Sequence, residues 1–154
     1  MYKMTQIKIS KISAMFVLTT SVLIGGCGSN PVARGVIGGN LTDCPSSPNC
    51  VSSQAKDEDH LFQAIPYTGS AAQAKDKLLE ILDGYPRCTI TKNEDNYIRA
   101  EFTTAIMRFT DDAEFLIQED SIQVRSASRV GYSDLGKNRS RMNEIKDALE
   151  PCCE

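Results

Sequence analysis

Arg125, Arg129, Arg139 and Arg141 are the side chains best placed to do chemistry, because they crowd the stretch from Val124 to Arg141, where five cations face one acid. Guanidinium groups grip phosphate, sulfate or carboxylate through forked N–H donors, so the chemistry they suggest is anion recognition. Along an extended chain the period of two puts Ile122, Val124, Ser126 and Ser128 on one face and Gln123, Arg125, Ala127 and Arg129 on the other. Arg125 and Arg129 therefore share a face, with Cα atoms roughly 13 Å apart. Gly131, Asp134 and Gly136 break the strand, and Asn138 is read as the N-cap of a helix over about 139–149 with Met142, Ile145 and Leu149 on its inner stripe. Arg139 and Arg141 then fall in a first turn where the macrodipole disfavours cations by roughly 0.3–1 kcal/mol. A local rule broken this way marks either an anion site shared by Asn138 and the arginines or a set of internal ion pairs. The acids for the second reading are Asp111, Asp112 and Glu114, with Asp134 beside the arginines.

An enzyme reading uses the same residues: Asp112, Glu114 and Asp134 for acid/base work, Ser126 and Ser128 as nucleophiles. It is weak, because His60 is the only imidazole and no G-x-S-x-G turn is present to activate a serine. Cysteines spaced C-x-x-C are absent, as are a glycine-rich phosphate loop and a calcium loop. One histidine beside Asp57, Glu58 and Asp59 matches no zinc pattern, so His60 is read as solvated or pinning a loop, and no metal or cofactor is expected.

The formal charge is −3; removing Lys3, Lys8 and Lys11 of the first 26 residues leaves 14 of the 17 cations against 20 acids, or −6. An acidic domain without tryptophan or an aromatic-interleaved basic patch is a poor nucleic-acid binder. Those three lysines precede the mostly apolar run Ile12 to Ile24, which is too short and polar for a transmembrane helix but suits a secretory signal. The ending Ile24-Gly25-Gly26-Cys27 resembles a bacterial lipobox. That resemblance implies a signal peptide over 1–26, removed before Cys27, whose thiol takes a diacylglycerol and whose new amino group is acylated, commonly with palmitate. Gly28 at the second position implies the periplasmic face of the outer membrane in a Gram-negative envelope. Residues 27–40, rich in Gly and Asn, read as a flexible tether, and 41–154 as one globular domain.

Export favours disulfides. Beyond Cys27 there are Cys44, Cys50, Cys88, Cys152 and Cys153, an odd number. Cys44 and Cys50 close a short proline-stiffened loop, CPSSPNC; Cys88 could reach Cys50 or the tail, and adjacent Cys152 and Cys153 are poor partners for one another. The expected pairing is Cys44 with Cys50 and Cys88 with one tail cysteine. Ser70 caps a helix over about 71–84, ended by Gly84 and Pro86. Strand patterns follow at 87–92, 97–108, 112–118 and 121–129, joined by short turns that require antiparallel pairing. The expected fold is α+β, a four-stranded antiparallel meander with a helix before it and a helix after it packed on one face.

The motifs CPSSPNCVSS (44–53), RFTDDAEF (108–115) and VRSASRVGYSDLGKNRSR (124–141) together resemble the bacterial and plastid family known as domain of unknown function 1499. The resemblance covers about 41–150 and includes Cys44, Cys50, Asp112, Glu114, Arg125, Arg129, Asp134, Asn138 and Arg139. It implies no particular activity, and it implies an envelope lipoprotein. Cys88, Cys152 and Cys153 depart from the family's pattern. The leading reading is a lipid-anchored binding module whose arginines hold an anionic small molecule. Its alternative is a structural or interaction domain, with an envelope protein as partner, whose arginines are locked to Asp111, Asp112 and Glu114.

Overall fold

The computed structural model describes residues 34–149. In chain order they form β1 (Val36–Ile37), β2 (Asn40–Leu41), β3 (Cys50–Ser52), β4 (Ile65–Pro66), α1 (Ala71–Gly84), β5 (Cys88–Asn93), β6 (Tyr97–Thr103), β7 (Thr110–Ile117), β8 (Ser121–Ser128) and α2 (Lys137–Leu149). The α+β architecture and the antiparallel meander β5 to β8 are as expected. The sheet, however, has six strands and not four, because β3 and β4 both pair with the outer edge of β8. At three and two residues they are too short to show a period of two, yet they satisfy backbone groups that an open β8 edge would leave bare.

One face of the sheet carries Ile98, Phe102, Phe115, Ile122 and Val124 into a core completed by Leu78 and Leu82 of α1 and Met142, Ile145 and Leu149 of α2. Helix α1 spans the expected residues, and Ser70 caps it in a reciprocal arrangement with Gln73. Strand β6 ends at Thr103, short of the expected Arg108: Thr104 closes a loop by bonding Phe109 through its backbone and its hydroxyl, and Ile106 turns outward.

Helix α2 starts at Lys137, so Asn138 lies inside it and is not the cap. Asp134 does that work, its carboxylate accepting from the Gly136 and Asn138 backbone N–H groups at 3.0 and 2.6 Å. A carboxylate on the orphan donors of a first turn is favoured by their partial positive charge.

Across the other face lies a hairpin of β1 and β2, turned by Gly38 and Gly39 at φ of 58° and 82°, a conformation glycine adopts without strain. Leu41 packs there on Tyr97 and Leu116. The described part of the expected tether, 34–40, is thus held on the sheet, and Gln54 fastens it by accepting from the Leu41 N–H at 2.8 Å. Residues 1–33, with the signal peptide and Cys27, and residues 150–154, with Cys152 and Cys153, lie outside the described residues.

Candidate functional site

Arg125 and Arg129 do share a face, the one under the hairpin, together with Glu101 of β6 and Asp112 and Glu114 of β7. Register sets Glu114 directly opposite Arg125, and the two side chains meet at 2.8 Å with neither exposed at all. Glu114 also accepts from the Tyr97 hydroxyl at 2.7 Å and from the Gly35 N–H at 2.5 Å. Asp112, equally buried, takes Nε and Nη2 of Arg129 at 2.8 and 2.9 Å and Nη1 of Arg34 at 2.9 Å. Glu101 is the second acid on Arg129. Burial alone would raise the pKa of Asp112, but bonds from Arg129 and Arg34 outweigh it and hold the carboxyl below its ordinary value. In turn, its bonds to Asp112 and to Glu101 push the Arg129 guanidinium up.

The opposite face holds a second network, at the start of α2. Arg141 pairs with Asp111 at 2.6 Å, donates to Asn138 Oδ1 at 2.7 Å and lies 4.6 Å over the Phe102 ring. The Asn138 amide donates to the Asn49 carbonyl at 2.9 Å and to Ser128 Oγ at 3.1 Å, while its carbonyl accepts from the Ser126 hydroxyl at 2.6 Å. Both serines that could have been nucleophiles are thereby engaged with an amide. His60 is bound elsewhere, its Nδ1 to Asp57 at 2.6 Å and its Nε2 to the Ser47 carbonyl at 3.0 Å.

The sheet therefore separates the arginines that sequence grouped together. Arg125 and Arg129 lie beneath the hairpin, Arg141 on the helix side, and Arg139 donates to the carbonyls of Leu61 and Asp59 at 2.8 and 2.9 Å. Asp134 faces backbone donors and no arginine. Arg34, Tyr97, Asn49 and Glu101 complete the two networks; Glu101 and Tyr97 are legible only through strand register, and Arg34 sits in what reads as tether.

The Cys44–Cys50 disulfide is formed, with Cα atoms 5.8 Å apart. Cys88 has no disulfide partner among the described residues, and burial pushes its thiol up to about 11, which makes it a poor thiolate nucleophile. Ser47 lies inside the disulfide loop, so His60 ties that loop to the segment 57–60. Burial opposes the charged imidazole, but the Ser47 carbonyl and the Asp57 carboxylate both want an N–H donor, and the His60 pKa stands above its ordinary value of 6.5. A raised folded pKa means stabilisation that is complete below 6.5 and lost as pH rises through the folded value. Protection from hydrogen exchange at 44–50, taken relative to the intrinsic exchange rate at each pH, should thus fall as pH rises above 6.5, with an NMR titration midpoint for His60 above 6.5. A midpoint below that value would show desolvation winning and reverse the trend.

Among the described residues, no helix is long and apolar enough to cross a membrane and no group of three or more His, Cys, Asp or Glu could hold a metal ion. A family model described as Protein of unknown function (DUF1499) matches residues 40–149. No curated protein and no solved structure matches the chain.

Proposed function

The chain belongs to the family described as Protein of unknown function (DUF1499), and from that premise we propose that it is a lipid-anchored interaction domain of the bacterial cell envelope whose arginines serve as an internal lock. The observation that carries this reading is that every arginine of the cluster already ends on a partner of its own: Arg125 on Glu114, Arg129 on Asp112 and Glu101, Arg141 on Asp111, Arg139 on two carbonyls. Through Arg34 and Gly35 the same acids hold the hairpin of 34–41 over the sheet, so the lock closes the face that an anion would need. Anchoring rests on the lipobox resemblance at Cys27 and places the domain at the periplasmic face of the outer membrane in a Gram-negative envelope. The acidic balance argues against nucleic acid as a partner.

A second reading, an anion held by Arg125 and Arg129 with the hairpin lifted, is favoured by one observation. Arg125 Nε is, among the described residues, the buried side-chain polar atom without a hydrogen-bond partner. Native mass spectrometry of the mature protein extracted from the envelope separates the two. The lock reading expects an acylated Cys27 and no small anion whose retention depends on Arg129; an anionic adduct lost in Arg129→Gln would replace it with the binding module.

A further inference from the structure

The sheet has two unlike ends. At one, short polar turns at 94–96 and 118–120 join the strands. At the other, the loops 104–109 and 129–136 present Ile106, Met107, Phe109, Val130, Tyr132 and Leu135 to solvent, with Ile106 and Leu135 89% and 90% exposed. A small domain rarely leaves six large apolar side chains uncovered on neighbouring loops. Between these loops opens an apolar depression of about 330 Å³ lined by Phe109, Val130 and Leu135.

Backbone strain gathers at the same end. Arg87, Arg108 and Leu135 are the described non-glycine residues with φ in the left-handed region, at 56°, 53° and 55°. Arg87 immediately precedes β5 at this end, and the other two sit in the apolar loops. Strain of this kind persists where the surrounding structure enforces it, and it clusters at functional surfaces. Exposed Arg108 and Lys137 stand beside the apolar side chains without a carboxylate partner among the described residues.

The path of the chain says what covers this end. The first described residue, Arg34, is fixed to Asp112, which lies about two residues, or roughly 7 Å, along β7 from the apolar loops. Seven Cα steps separate Cys27 from Arg34, a reach of at most about 25 Å. An acylated Cys27 therefore holds the loop end close to a bilayer, and the loops have the composition of a membrane-docking surface: aliphatic tips, an interfacial tyrosine and flanking cations for anionic headgroups.

We propose that this loop end, Ile106, Met107, Phe109, Val130, Tyr132 and Leu135 with Arg108 and Lys137, docks on the anionic lipid surface to which the chain is tethered, so that the domain stands upright on the bilayer. The inference rests on the anchor reading for its geometry.

The chain contains no tryptophan, so Met107→Trp and Asp95→Trp, at opposite ends, each introduce a single fluorophore. The test uses the full chain purified from membranes and reconstituted into vesicles of phosphatidylethanolamine and phosphatidylglycerol. Docking predicts that the Met107→Trp reporter emits further to the blue and is quenched by lipids brominated near the headgroup, while the Asp95→Trp reporter stays in water. Adding Ile106→Asp and Leu135→Asp should return the first reporter to water. In a Cys27→Ser chain each aspartate should weaken vesicle binding by about tenfold. The proposal is overturned if the Met107→Trp reporter remains unquenched, if both reporters are quenched alike, or if the blue shift grows with protein concentration without vesicles, which would assign the patch to a second copy. Acyl content at Cys27 is read by intact mass on the same sample. An acylated chain with a wet reporter sinks docking alone, and an unacylated chain with a buried reporter sinks the anchor reading alone.

Discussion

Glu114→Ala is expected to lower the unfolding free energy by about 3–5 kcal/mol, measured by urea unfolding of the purified chain. Glu114 and Arg125 have no exposed side-chain surface, so removing the carboxylate leaves a guanidinium charge in the interior with no acid and no water to take its place. The Tyr97 hydroxyl and the Gly35 N–H lose their acceptor as well, which loosens the hairpin over the sheet. The converse substitution tells whether the charge itself matters: Glu114→Leu with Arg125→Met removes both ions and should recover the part of the loss due to the stranded guanidinium, since a buried pair is often replaceable by apolar groups of similar volume, while the Tyr97 and Gly35 donors stay without their acceptor. Should Glu114→Ala cost less than about 1 kcal/mol, Arg125 would have to be neutralised by something else, and the anion-binding reading would take precedence.

Asn138→Leu should cost about 2–4 kcal/mol with little change in side-chain volume, because several buried polar groups lose a partner together. Its amide links three separate pieces of chain: the Asn49 carbonyl inside the disulfide loop, Ser126 and Ser128 at the end of β8, and Arg141 one turn along α2. Arg141 keeps Asp111, so the variant should still fold. Hydrogen exchange is the discriminating readout. Protection should fall at 44–50 and at the start of α2, while β6 and β7 in the sheet's middle keep theirs. Uniform loss across the sheet would mean that Asn138 supports the whole core and is not a local clasp.

Those two residues also show where reading the chain succeeds and where it stops. Helix α1 was legible from Ser70 to Gly84, because capping and a 3.6-residue period act over a few neighbouring residues. The meander of β5 to β8 is legible in large part for the same reason, since two of its three turns, at 94–96 and 118–120, are short. The same short-range logic misplaces Asn138. It has the right chemistry for a cap, but Asp134 reaches the helix start first and the amide turns into the core. In the sequence β6 reads too long because Thr104 and Ile106 continue its alternation; the Thr104 bonds to Phe109 end it.

By itself the sequence determined the α+β class, the two helices, the shared face of Arg125 and Arg129, and the short loop that the Cys44–Cys50 disulfide closes. All of these follow from interactions between residues close along the chain. Only the tertiary structure decided which acid each arginine meets, because strand register and helix docking bring Arg125 to Glu114, Arg129 to Glu101 and Arg141 to Asp111 across 11, 28 and 30 residues. It likewise decided that residues 34–41 fold back as a cover, that β3 and β4 fill the edge of β8, and that the apolar loops gather at the end where Arg34 is fixed. Contacts of that range depend on where the whole chain closes, and no local period records them.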